Sequence, residues 1–212
     1  KHCLYMGCKT FIYASSASVY GSVPSPQVED GPLFPLNVYA QSKLRFESFA
    51  KGFAEQNSVS VTGLRYFNVY GPGEQHKGRR ASMVSQIVNA AKSGNRITLF
   101  KNGEQKRDWI HVDDVAEINV AALGITGHNI VNVGTGNPRS FNEIVALVNN
   151  WQRSLEQTMG IDDGYDIEVK YIDCPFADAY QSSTCASTQI AEDLFGPRLF
   201  ISLENGVLTL LR

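Results

Sequence analysis

Cysteine is scarce in this sequence and badly spaced for cross-linking. Cys3, Cys8, Cys174 and Cys185 form no CxxC pair and no zinc-ligand spacing. Disulfide-built proteins are shorter and denser in cysteine, so four reduced thiols in a cytoplasmic protein are expected. No apolar run approaches the roughly 18 residues that a membrane span needs. No basic-then-apolar leader opens the chain either. A soluble protein without a membrane partner is therefore expected. An excess of one charge is also lacking: 19 Lys and Arg stand against 21 Asp and Glu, a formal net charge of −2. No broad positive field draws such a chain to nucleic acid, and any phosphate it holds must be gripped locally. Internal repeats, low-complexity segments and linker-like breaks are absent as well.

What is present is ordinary globular material. The 212 residues are 43% hydrophobic and 19% charged, enough for a core and for one domain or one and a half smaller ones. The opening KHCLYMGCKTFIYASS reads as a helix end running into a buried strand. A domain beginning there would leave that strand without sheet neighbours, so an N-terminal portion is expected to be lacking.

Residues 11–16 (FIYASS) are short, apolar and β-rich, and a Pro/Gly loop follows from Gly21 to Pro35. Asn37 is an N-cap candidate for a helix over Val38–Gln56. SVSVTGLRYFNV (58–69) predicts one buried strand, and 80–93 carries Met83, Val84, Ile87, Val88 and Ala91 at helical spacing. A strand at 97–100, a turn at Asn102–Gly103, a helix over 112–123, a strand at 129–133 and a helix over 140–152 complete the regular part. After Arg153 the pattern loosens through Asp166; 167–172 predicts a strand, and the chain from Ser187 onward is largely helical. Strands alternating with helices predict a parallel, layered α/β sheet.

Tyr39 and Lys43 lie four apart on one predicted helix and share a face. Tyrosine, with its pKa of about 10, is a poor base at neutral pH, and a neighbouring ammonium or nicotinamide cation favours its phenolate. Such a pair suits proton removal from a sugar hydroxyl while hydride leaves the same carbon. The sequence contains a control, Tyr5 and Lys9 at the same spacing, but Gly7 between them and a helix end mark that pair as structural. Context separates the two. SSASVYG (15–21) sits at the C-terminal end of a predicted strand, where open α/β sheets place their ligands. Ser16 is the candidate donor to the same hydroxyl, and Ser15 a hydroxyl that satisfies the turn.

Taken in order, YASSASVYG, NVYAQSK, LRYFNVYGPG, RDWIHVDDVA and NVGTG resemble the extended short-chain dehydrogenase/reductases that modify nucleotide sugars. The resemblance implies Ser16, Tyr39 and Lys43 as the catalytic set, with Tyr39, Lys43, Val69 and Lys77 against the cofactor. GPGEQHKG (71–78) is similar to a loop of the ADP-L-glycero-D-manno-heptose 6-epimerases, in which Lys77 would be the second acid/base. Inverting a secondary alcohol requires hydride to leave one face and return to the other, and two proton-handling groups suit that task. The competing reading makes Lys77 a solvated loop cation beside Arg79 and Arg80. Carried over in the same way, Ser16, Asn68, Arg79, Gln86, Phe100, Arg107 and Tyr180 would contact the sugar nucleotide. Asn68 would bond a hydroxyl, and Arg107 would clamp pyrophosphate through its forked donors. Gln86 stands where a histidine is frequent, and Arg79 where a serine is.

A GxGxxG fingerprint, the pyrophosphate seat of such proteins, does not occur: Gly71–Gly73 is followed by His76, and Gly134–Gly136 by Arg139. His111 with Asp113 and Asp114 marks a helix start rather than a metal site, because carboxylates suit a helix's positive end. No metal is expected. The fold expected is the C-terminal part of a doubly wound, Rossmann-type parallel sheet with a smaller interleaved substrate-binding region. Residues 1–75 and 112–135 would form the first, and 76–111 and 136–212 mainly the second. The expected activity is NADP-dependent epimerisation of a nucleotide sugar, with NAD as the alternative cofactor, ADP-heptose as the substrate and a homo-oligomer as the assembly. A UDP-hexose 4-epimerase and a non-catalytic sugar-nucleotide-binding module are the alternatives.

Overall fold

A computed structural model describes residues 2–160, 166–175 and 180–211. β1 (Thr10–Ser16), β2 (Ser60–Tyr66) and β6 (His128–Val133) form a parallel sheet in the order β1-β2-β6, with Leu64 level with Ala14 and Val131. The middle strand is buried through most of its length, as a parallel strand covered on both faces must be. One face meets α2 (Val38–Asn57), where Tyr13, Ala50, Ala54 and Val61 pack together. The other face joins α4 (Val112–Ala122) around Leu64, Val115, Ile118 and Val131. Helices on both sides of a parallel sheet make this the expected doubly wound α/β architecture. Gly63 is required by that packing, because a Cβ there would lie 2.5 Å from the Tyr13 ring.

The remaining strands form two small sheets. β3 (Asn68–Tyr70) pairs in parallel with β5 (Lys106–His111), which pairs antiparallel with β7 (Pro138–Ser140). β4 (Ile97–Phe100) pairs in parallel with β8 (Val169–Ile172). Around Tyr70, Leu99 and Trp109, the helices α3 (Met83–Ser93), α5 (Phe141–Met159) and α7 (Leu203–Leu211) build a second core. Two short helices, α1 (His2–Tyr5) and α6 (Gln189–Phe195), complete the set.

Local chemistry sets the element ends. Asn37 Oδ1 accepts from the Ala40 N–H at 2.9 Å and starts α2. Ser140 and Glu143 form a capping box on α5. His111 Nδ1 accepts from the Asp113 N–H at 3.3 Å, so this histidine caps α4 with Asp113 and Asp114 in the first turn.

Four expectations need correction. Residues 58–69 are not one strand: the chain leaves the first sheet at Phe67, whose N–H still bonds Val133 O, and β3 enters another sheet. The helix expected over 80–93 starts at Met83, because Ser82 caps it after a 3-10 turn over Gln75–Arg80. The stretch after Arg153 continues α5 to Met159, largely exposed; residues 161–165 of that stretch lie outside the described residues. β5 was not expected, its charged residues Arg107 and Asp108 reading as loop although both are buried. Cys8, Cys174 and Cys185 are free thiols, and the Cys3 side chain lies outside the described ones. Among the described residues, no helix is long and apolar enough to cross a membrane.

Candidate active site

The site begins at the C-terminal end of β1. Successive strand residues point to opposite faces, which separates the two serines. Ser15 is buried and its Oγ donates to Glu47 Oε1 at 2.5 Å. Ser16 is half-buried, and its Oγ accepts from the Ser18 N–H at 3.2 Å, starting a 3-10 turn over Ala17–Tyr20. Gly21 closes that turn at φ 58, where a Cβ would strike Phe34 O at 1.6 Å.

The first turns of α2 face this strand end. Lys43 Nζ donates to Ala14 O at 2.9 Å and lies 5.7 Å from the centroid of the Tyr39 ring. Tyr39 itself is 55% exposed. Strand end, tyrosine and ammonium thus meet at one end of the sheet, with Ser16 two residues beyond Ala14 on β1.

Lys77 stands on the 3-10 turn over Gln75–Arg80, and its Nζ is paired with Glu74 Oε1 at 3.1 Å. That carboxylate also accepts from the Ser82 N–H at 3.1 Å and from the Ser82 and Ser85 hydroxyls, each at 2.6 Å. Burial presses the Glu74 carboxyl upward, but these donors and Lys77 outweigh it and hold it below the ordinary carboxylate range. Arg79 is exposed, and Gln86 Nε2 donates to Ala81 O at 2.8 Å, tying α3 to the turn that follows Lys77.

Three other candidates form one cluster. Arg107 is buried, with its guanidinium carbon 5.0 Å from the Tyr180 ring centroid and 5.8 Å from that of Phe141. Phe100 meets Tyr180 edge to face at 5.8 Å. The Arg107 donors reach Gln181 O at 2.6 Å and Lys106 O at 2.8 Å, and burial pushes its ionisation downward. A cation held among aromatic rings and carbonyls, with no carboxylate against it among the described residues, suits an anionic ligand. Asn68 Oδ1 accepts from Thr184 Oγ1 at 3.1 Å, and Val69 packs half-buried beside the Leu64–Ile110 cluster.

Sequence reasoning missed the residue that joins these parts. Asp108 is fully buried; its Oδ1 accepts from the Thr135 N–H (2.8 Å) and hydroxyl (2.7 Å), its Oδ2 from the Gly136 (2.9 Å) and Ala186 (2.8 Å) N–H groups. One carboxylate thus fastens the NVGTG turn and the 184–186 segment beside Arg107. The signal was its place next to Arg107 in RDW, though the turn it binds lies 27 residues away. Among the described residues, no three His, Cys, Asp or Glu side chains group as metal ligands. A cavity of about 190 Å³ between β1 and α2, lined by Phe11, Phe46, Phe49 and Phe53, contains none of the candidate residues.

Comparison with known proteins adds a frame to this geometry. The model of the NAD dependent epimerase/dehydratase family matches residues 1–134. The chain is 38% identical to an ADP-L-glycero-D-manno-heptose-6-epimerase of Thiobacillus denitrificans, over 92% of this chain and 63% of that protein. It is 43% identical to the Brachyspira hyodysenteriae protein of the same name, over 92% and 60%. Among solved structures, the Helicobacter pylori ADP-L-glycero-D-manno-heptose-6-epimerase superposes with a TM-score of 0.77 at 36% identity, covering 94% of this chain and 58% of that one. MoeE5 in complex with UDP-glucose and NAD gives 0.81 at 28% identity, covering 99% and 66%. The chain spans about 60% of the length of the curated relatives it matches.

Proposed function

The chain belongs to the NAD dependent epimerase/dehydratase family, and on that premise we propose that it epimerises a nucleotide sugar, ADP-glycero-manno-heptose at C6, through a transient ketone. The carrying observation is the Tyr39–Lys43 pair at the end of β1, with Lys43 Nζ 2.9 Å from Ala14 O. The relatives named as heptose epimerases support the choice of sugar nucleotide.

The residues present fit the nicotinamide–ribose end of a dinucleotide: an ammonium and a phenol stand at the carboxyl end of a parallel strand. When bound, the cofactor supplies the hydride acceptor and donor. Tyr39 takes the proton from the sugar hydroxyl, Lys43 sets a positive charge beside it and holds a ribose, and Ser16 bonds the reacting oxygen. Lys77 handles the proton when the ketone has turned its other face. Asn68, Arg79 and Gln86 meet the sugar side, and Arg107, Phe100 and Tyr180 grip the diphosphate and base. NADP is our choice of cofactor and NAD the alternative. A homo-oligomer in the cytoplasm, with residues 1–75 and 112–135 on the cofactor side and 76–111 and 136–212 mainly on the substrate side, completes the proposal.

Incubating the intact protein with ADP-D-glycero-D-manno-heptose and following C6 inversion tests it. Turnover of UDP-glucose instead moves the assignment to a UDP-hexose 4-epimerase, a reading favoured by the likeness to MoeE5. Tight sugar-nucleotide binding without turnover of either leaves a binding module.

A further inference from the structure

Glu47 follows Lys43 by four residues and Tyr39 by eight, on the same face of α2. A lone carboxylate on a buried helix face is costly, so its partners carry information. Its side chain is 7% exposed, and that of Arg65 in β2 is 3% exposed. The two meet as a fork: Arg65 Nε donates to Oε1 at 3.0 Å and Nη2 to Oε2 at 2.8 Å. Ser15, in β1, donates to the same Oε1. Arg65 Nη1 reaches on to the Tyr20 hydroxyl at 2.9 Å, which donates to Asn132 Oδ1 in β6 at 2.6 Å. A single carboxylate therefore binds α2 to β1 and β2 directly, and to β6 and the turn after Ser16 through Arg65.

A buried ion pair gives no more stability than well-packed apolar side chains, because both charges must leave water. It supplies direction instead, since a fork of two parallel hydrogen bonds fixes both groups in distance and angle. The groups fixed here are the neighbour of Ser16 and the third member of the Tyr39–Lys43 face. We propose, resting on the epimerase reading above, that Glu47 and Arg65 are positioning residues that set the rotation and height of α2, so that Tyr39 and Lys43 meet Ser16 at the end of β1. The contact that reports this placement is Lys43 Nζ to Ala14 O, one helix turn and one strand residue from the fork.

The test uses Glu47→Gln and the double variant Glu47→Leu/Arg65→Met in the intact protein. Each is assayed for kcat and KM and crystallised. Glu47→Gln strands the Arg65 charge, and the double variant, which leaves neither charge, serves where the single one does not fold. We expect kcat to fall about 10²-fold, the loss that a misplacement of about 1 Å produces. KM for the sugar nucleotide should stay at the parent value, because Arg107 and Tyr180 lie on other elements, and Lys43 Nζ should be withdrawn from Ala14 O. A merely structural fork predicts that the double variant recovers parent kcat along with stability. That recovery, or variant crystals with the Lys43–Ala14 contact in place, overturns the proposal. A parent protein that interconverts no sugar nucleotide overturns the epimerase reading alone, since the Lys43–Ala14 contact in the variant crystals still decides the role of the fork.

Discussion

The Lys43 ammonium lies 5.7 Å from the centre of the Tyr39 ring and is anchored to Ala14 O at 2.9 Å. A helix period brings the two side chains together, and a strand-end carbonyl holds the charge there.

Replacing Tyr39 by Phe keeps the ring and removes the hydroxyl. The side chain is half exposed, so folding should be unchanged. Epimerisation should fall about 10²–10⁴-fold, the range for losing a positioned acid or base. Turnover of sugar nucleotide by the intact variant measures it, and an unimpaired rate on both epimers removes the dehydrogenase chemistry altogether.

Asp108 offers a test of architecture rather than chemistry. Its two oxygens accept four hydrogen bonds from Thr135, Gly136 and Ala186. Asp108→Asn puts an NH2 group against donors and leaves at least one buried N–H unpaired. A loss of about 3 kcal/mol is expected, on the scale for unsatisfied buried groups and charge-assisted bonds. Urea unfolding of parent and variant checks it, and a difference within error would show that the NVGTG turn does not depend on this carboxylate.

The pH dependence of stability isolates Glu74. Its carboxyl ionises below the ordinary value of 4.5, because the donors from Ser82 and Ser85 and the Lys77 ammonium outweigh burial. A group depressed in the folded state contributes stability that is complete above its unfolded value and is lost as pH falls through the folded one. Unfolding free energy should therefore drop more steeply below about pH 4.5 in the parent than in Glu74→Gln. Equal slopes in acid urea titrations would mean that Glu74 carries no folding-linked proton.

Much of this was legible in the sequence because it depends on local rules. Asn37 caps α2 through its short side chain, and the Tyr39–Lys43 spacing needs only the helix period. What was not legible depends on distant partners. No glycine or proline marks Phe67, where the chain changes sheets, so 58–69 reads as one strand. Lys106–Asp108 reads as loop until the turn that satisfies Asp108 is known. Nothing local in the sequence pairs Glu47 with Arg65, 18 residues further on.

Lys77 is the residue on which the heptose assignment depends, and its position makes the last prediction sharp. Its ammonium is half exposed and pairs with Glu74 three residues away, while Tyr39 and Lys43 stand on α2. Two proton-handling groups on separate elements can serve the two orientations of one turning ketone. Lys77→Met keeps the stem and removes the charge; the Glu74 carboxylate keeps its three donors from Ser82 and Ser85, so the loop should hold. Full interconversion should fall about 10²–10⁴-fold. Oxidation of one epimer should persist, because Tyr39 still serves that orientation, and Tyr39→Phe should spare the other. Single-turnover reduction of bound cofactor by each epimer, in both variants, measures the split. If Lys77→Met interconverts the epimers at the parent rate, Lys77 is only a loop cation beside Arg79 and Arg80, and the two-base scheme fails with it.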